Sequence, residues 1–259
     1  MKLNKHQIDA YLRRVSNILL FNGGFLSDLG LYTGEMGLAL FFSVYSRYTK
    51  NELYSDYSLH LIDYIQNNLH RETPIDYRQG LTGIGSAFEY LVQSGYFDAD
   101  TDDLLEEFDE RIFSFDKLPF LSFDELSGIA FYAYWRLSGK SAKKDTISKT
   151  VLPQVVLLMA SKSKNAEAEH PLVSFFSSII SADSTAVFSG ARHRLYRKNH
   201  PFRLESEEPY SRLLEPFSKS DVLIRNTFNL WVENGLAGLG LCLIAELDGD
   251  DSWTALFST

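Results

Sequence analysis

Gly34-Glu35-Met36-Gly37-Leu38-Ala39, Gly80-Leu81-Thr82-Gly83-Ile84-Gly85, Glu125-Leu126-Ser127-Gly128-Ile129-Ala130 and Gly235-Leu236-Ala237-Gly238-Leu239-Gly240 repeat one pattern: Gly-x-x-Gly, then Leu or Ile, then a small residue. Glu125 is the exception at the first position. Counted from the second glycine, the copies fall at 37, 83, 128 and 238, in steps of 46, 45 and 110. The last step spans two periods of about 55 residues, which predicts a degraded copy near residue 180. A period of about 45 to 55 residues accommodates two helices and two connections.

Each motif opens an apolar helix. The inward positions are Leu38, Phe41, Phe42 and Tyr45; Ile84, Ala87, Phe88 and Leu91; Ile129, Tyr132 and Ala133; Leu239 and Leu243. Amphipathic helices are expected between them. One carries the stripe Leu59, Ile62, Ile65 and Leu69. A second carries Leu104, Leu105, Phe108 and Ile112 after a capping Thr101. A third covers Val151 to Met159, with Pro153 near its start or kinking it. Ile8, Leu12, Val15 and Leu19 predict an amphipathic helix at the N-terminus, with Arg13 and Arg14 between them. Glycine at each helix entrance lets loops crowd together and makes a positive φ inexpensive. The expected fold is an all-α toroid: a closed or nearly closed ring of helical hairpins, buried helices inside, in one domain spanning 1–259. An open solenoid is the competing architecture.

Composition narrows the function. The 259 residues are 45% apolar and 14% aromatic, ample for a hydrophobic core and unlike a disordered chain. A net charge of −9 argues against a general nucleic-acid binder. One cysteine excludes an internal disulfide framework and any multi-cysteine zinc site. No stretch approaches the ~18 apolar residues of a membrane span, and the N-terminus has no signal-peptide core, so a cytoplasmic protein without membrane contact is expected. Nothing in the sequence speaks to oligomeric state.

The run Gly30-Leu31-Tyr32-Thr33-Gly34-Glu35-Met36-Gly37-Leu38-Ala39-Leu40-Phe41-Phe42 resembles the LanC-like family, whose type members are lanthionine cyclases. So do Gly80-Leu81-Thr82-Gly83-Ile84-Gly85 with Glu89-Tyr90-Leu91, and Asn234-Gly235-Leu236-Ala237-Gly238. The resemblance implies an α/α toroid, here shortened, with its site at the glycine-rich mouth. It also implies zinc chemistry: family cyclases add a peptide thiol across a dehydrated residue, and zinc, on two cysteines and a histidine, holds that thiol as thiolate. This chain departs at those positions. The family's last motif reads Cys-His-Gly-x-x-Gly, where this chain has Glu233-Asn234-Gly235-Leu236-Ala237-Gly238. Its third motif places a histidine where Asp124 stands. Cys242 falls beyond the ligand position, as a small core residue. Asp76 matches the family's acid four residues before the second-repeat glycine. The expectation is therefore a kept scaffold without metal or cofactor.

Converging entry loops would gather Glu35, Asp76, Tyr77, Arg78, Asp124, Glu125, Glu233 and Asn234. Such a cluster suits a cationic or polyhydroxyl ligand, or acid–base work by Asp76, Asp124 and Glu233. Helix capping and solvated ion pairs are the plainer explanation. Two charge blocks remain. Asp98, Asp100, Asp102, Asp103, Glu106, Glu107, Asp109 and Glu110 are expected on the outer face of a helix. Arg192, Arg194 and Arg197, with His193, Lys198, His200 and Arg203 nearby, form either a surface loop or a dock for an acidic peptide. The leading expectation is a peptide-binding or accessory protein whose partner is a peptide or a modification enzyme. A glycan-active enzyme with paired carboxylates, and a purely structural interaction module, are the rivals.

Overall fold

The computed structural model describes residues 5–163, 170–181, 230, 232–233 and 235–257. The degraded copy expected near 180 and the basic block at 192–203 fall mostly or wholly outside them. Among the described residues there is no β-strand. They group into two compact units, one within Met1–Asn68 and His200–Thr254, the other within Leu69–Asn199 and Ala255–Thr259.

In the first unit, α1 (Lys5–Asn22) buries the Ile8, Leu12, Val15 and Leu19 stripe. The first motif starts α2 (Glu35–Thr49), buried without interruption from Glu35 to Tyr45. Lys50, in the left-handed region at φ 54, ends α2 and turns the chain into α3 (Glu52–Asn68). The hairpin closes on stacked aromatics: Phe42 lies 4.8 Å from Tyr57 edge-on, and Tyr45 lies 4.7 Å from Tyr54. The Ser43 and Ser58 hydroxyls pair at 2.8 Å in the same layer. The buried stripe of α3 is Ser58, Leu61, Ile62 and Ile65. Leu59 instead points outward at 41% exposure, and Leu69 lies past the helix end. The fourth motif starts α11 (Leu236–Asp248), which packs on α1 and α2. A Cβ on Gly240 would collide with the Phe41 ring, so this helix pair approaches at backbone distance.

The second unit repeats the scheme. The motif helices α4 (Leu81–Gln93) and α7 (Phe123–Ser138) pack on each other. Between them run α5 (Thr101–Leu104) and α6 (Glu106–Ile112), broken at Leu105 and burying Leu105, Phe108 and Ile112. The cap is Asp100, whose carboxylate accepts from the Asp102 N–H, rather than Thr101. After α8 (Lys144–Thr146) the helical path widens to π geometry over Ile147–Val151, then resumes as α9 (Leu152–Lys162). Pro153 lies directly after the wide turn, where its missing N–H and its ring disturb a regular ladder least. From α9 the packing continues to α7 and to α10 (Pro171–Ser181), and Phe131 meets Phe176 at 5.2 Å.

Candidate functional site

The motif entrances share one construction. The Met36 N–H donates to Leu29 O, the Thr82 N–H to Ile75 O and the Ala237 N–H to Leu230 O, each across seven residues. Glu35 and Leu81, one residue earlier, donate to Asp28 O and Pro74 O. The preceding loop thus folds back and satisfies helix N-terminal donors that would otherwise have no partner. It passes so close that a Cβ on Gly80 would collide with the Pro74 carbonyl oxygen and stand 2.7 Å from that of Asp76. Gly34, Gly80 and Gly235 are all extended, with φ of −130, −109 and −132, and at Gly34 and Gly80 close approach rather than positive φ is what demands glycine. The third entrance differs. Its helix starts one turn earlier, and Ser122 and Glu125 form a capping box in place of the folded-back loop.

In the first unit the first and fourth entrances are neighbours. The Val232 and Glu233 N–H groups both donate to Tyr32 O at 3.1 Å, and a Cβ on Gly37 would stand 2.8 Å from Val232. Glu233 therefore sits half-exposed beside the first entry loop. Glu35 is 2% exposed, on the α2 face shared by Leu38 and Phe42. Among the described residues its Oε2 has no hydrogen-bond partner, and burial pushes the carboxyl up to about 7. Tyr57 across the layer is raised too, first by burial and then by the Glu35 charge.

In the second unit the second and third entrances meet: a Cβ on Gly128 would stand 2.8 Å from the Thr82 hydroxyl and 3.2 Å from Tyr77 Cβ. Tyr77 is buried there, with its ring 5.7 Å from Phe131. Asp76 Oδ1 accepts from the Arg78 and Gln79 N–H groups at 2.9 Å each, folding the turn locally, while Arg78 is exposed. Asp124 is exposed on the first turn of α7. The Glu125 carboxylate accepts from the Ser122 N–H and hydroxyl at 2.7 Å, which holds it below the usual carboxylate range. The plainer explanation of turn and cap formation thus accounts for Asp76 and Glu125. Asn234, Arg192, Arg194 and Arg197 lie outside the described residues.

A family model for "Lanthionine synthetase C-like protein" matches residues 26–177, more than half of the chain and three of its four motifs. The chain belongs to the LanC-like family. No curated protein and no solved structure matches it. The all-α fold of this LanC-like chain agrees with the motif reading. The match stops at 177, so the fourth motif, where the family's Cys-His pair belongs, is placed by the repeat register and by its folded-back loop. Glu233 stands two residues before that motif's first glycine, Gly235. Cys242 is buried in the body of α11. Among the described residues no three His, Cys, Asp or Glu side chains come together as a metal cage.

The second unit also holds a charge cluster that pattern reading missed. Arg136, fully buried, donates to Glu89 at 2.6 Å, Asp102 at 2.5 Å and Asp109 at 2.8 Å. The Tyr132 hydroxyl donates to Asp109 at 2.7 Å, Lys143 approaches Asp109 at 3.2 Å, and Gln93 donates to Glu89 at 2.9 Å. Burial alone would drive the guanidinium pKa down. Hydrogen bonds and charge from Asp109 and Glu89 reverse that and hold it above the usual arginine value. Burial likewise opposes ionisation of Asp102, but the Ala142 N–H, the Ser141 hydroxyl and Arg136 outweigh it and hold its pKa down. The acidic block is thus divided. Asp98, Asp100, Asp103, Glu106, Glu107 and Glu110 are exposed as expected, whereas Asp102 and Asp109 turn inward. Asp102 and Asp109, seven residues apart, lie on the helix side that Leu105 and Ile112 bury. The available signal was one acid and one base inside largely buried motif helices, Glu89 in α4 and Arg136 in α7.

A groove of about 330 Å³ opens beside α6, lined by His70, Arg71, Glu107 and Glu110 over Leu81 and Phe108. Its floor is fixed by Arg111, which donates to the carbonyls of His70, Arg71 and Thr73 at 2.9–3.0 Å.

Proposed function

We propose that this LanC-like protein binds peptide segments as an accessory of a peptide-modification system and does not perform zinc-dependent cyclisation. The observation that carries the reading is Glu233-Asn234 where the family has Cys-His. Lanthionine formation needs a thiolate at neutral pH, and zinc supplies it by stabilising the deprotonated sulfur. At position 233 a carboxylate replaces the soft thiolate ligand and at 234 a neutral amide replaces an imidazole, and with Cys242 the only cysteine the family's second thiolate has no counterpart either. What remains is the scaffold: folded-back entry loops, buried motif helices, and a groove carrying both charge signs that suits a peptide's mixed polar groups. Binding without chemistry also explains why Asp76 and Glu125 are committed to local backbone rather than held as acid and base.

The test is a titration with a dehydrated, cysteine-containing peptide, followed by thiol alkylation after incubation with the protein. The expected result is saturable binding with the peptide thiol still fully alkylatable, as in buffer alone. Consumption of the thiol that depends on protein and zinc overturns the reading, and so does failure to bind any peptide.

A further inference from the structure

Glu35 is the one described carboxylate buried in the first unit, and nothing in the proposed function uses it. It occupies the first residue of α2, directly after the folded-back loop 28–34. Glu35, Leu38 and Phe42 follow one another along one helix face, against Tyr57 of α3 and the turn at Gly23; a Cβ on Gly23 would stand 2.9 Å from Leu38 and 3.0 Å from the Tyr57 hydroxyl. A neutral carboxyl is tolerated in such a layer; a carboxylate without a hydrogen-bond donor is costly there.

The surrounding groups offer no relief. From α3 the facing group is Tyr57, while Asp56, His60 and Asp63 are exposed on its outer side. From the entry loop comes Asp28, already accepting from the Gly30 N–H and the Thr33 hydroxyl. From the fourth entrance comes Glu233, another acid. The charges that α1 and α11 bring to α2 are Asp9, Arg13 and Asp248, and they lie beside its later turns at Tyr45 and Tyr48. Among the described residues, none of these groups beside Glu35, namely Tyr57, Asp28 and Glu233, is a cation.

Position decides how an ionised Glu35 would reach water. At a helix interior it would have to unfold the helix. At the first residue, only the first turn must lift, at the cost of the Glu35 N–H bond to Asp28 O and the Met36 N–H bond to Leu29 O. The same loop receives the Val232 and Glu233 N–H groups on Tyr32 O, so movement there reaches the fourth entrance. We propose that Glu35 is a proton-operated latch: neutral, it holds the first turn of α2 and loop 28–34 closed against α3, and ionised, it releases them. The inference concerns this loop alone and does not depend on what the protein binds.

Its sign follows from linkage. The closed state favours the protonated carboxyl, which titrates at about 7 instead of the ordinary 4.5. Closing is therefore strongest in acid and weakens as pH rises from 4.5 through 7. The test is amide exchange at Glu35 and Met36, read as protection factors so that intrinsic base catalysis cancels. Between about pH 5.5 and about pH 8 the wild-type protection is expected to fall about 30-fold. In Glu35→Gln it is expected to change by less than about threefold. Constant wild-type protection, or an equal fall in Glu35→Gln, overturns the latch. Should Glu35→Gln fail to fold, the carboxyl carbon of Glu35 in the wild-type protein is titrated by NMR. A midpoint near 7 supports the latch, and one near 4.5 overturns it.

Discussion

Each unit holds a buried carboxylate environment on a motif helix, at the start of α2 in the first and near the ends of α4 and α7 in the second, and the two are solved in opposite ways. Around Arg136 three carboxylates converge on one guanidinium, which also donates to the Thr101 hydroxyl, while Tyr132, Ser141 and the Ala142 N–H donate to further carboxylate oxygens. Around Glu35 one carboxyl is buried with an oxygen that no described donor reaches. The first arrangement keeps its charges at neutral pH because each has a partner; the second keeps its fold most cheaply by keeping a proton. A buried acid is therefore no guide to role until its partners are counted. Here the richly partnered acids are structural, and the unpartnered one is responsive.

The comparison breaks most forcefully at Arg136. Arg136→Met leaves Glu89 buried without a cation and Asp109 with only the part-exposed Lys143, and is expected to destabilise the second unit by about 3–5 kcal/mol in urea melts. A loss below about 1 kcal/mol would mean the network relaxes to water and is not the structural centre described. Arg136→Lys should recover only part, since a single ammonium cannot span three carboxylates.

Next comes the opposite response to acid. Glu35, raised to about 7, gives the first unit a contribution that is greatest below its ordinary 4.5 and is lost as pH climbs through 7. Asp102, held low, gives the second unit a contribution that is present above its ordinary 3.8 and is lost as pH falls through its lowered value. Glu35→Gln should accordingly raise stability at pH 8 by about 1–3 kcal/mol and leave it nearly unchanged near pH 4.5. Melts of the variant that parallel the wild type across this range would refute the contrast.

Ser122→Ala removes the capping box that replaces the glycine entrance in the third repeat. It should cost about 1 kcal/mol in thermal or chemical melts, with no pH dependence between about 6 and 8. The smallest effect is expected at Asp76. Asp76→Asn keeps the oxygen that the Arg78 and Gln79 N–H groups need, so stability should move by less than about 0.5 kcal/mol and peptide binding should stay within about twofold. A large loss of binding with intact stability would assign Asp76 a role beyond its turn.

Much of the fold was legible because the glycine motif marks a physical event, a loop folding back over a helix start, and that event recurs at Gly34, Gly80 and Gly235 with the same seven-residue bond. The sites were harder. Glu35 stands in a mouth motif, and only helix phase shows that it faces inward with Leu38 and Phe42. Asp102 and Asp109 read as part of one solvated acidic face, although their seven-residue spacing sets them on the side of Leu105 and Ile112. Glu125 was readable, since Ser122-Phe123-Asp124-Glu125 is the S-x-x-E pattern of a capping box. Arg136 was readable too, as a lone cation between Trp135 and Leu137 in an apolar helix, but its partners come from three separate helices, α4, α5 and α6, that no local pattern joins.

The decisive measurement is the zinc content of the purified full chain, by elemental analysis and by anomalous scattering at the zinc edge. Loss of cyclase chemistry requires less than about 0.1 zinc per chain and no ordered metal near Glu233. One zinc per chain at a defined site involving Glu233 would contradict it, and would mean that the family's metal site has been rebuilt from other ligands.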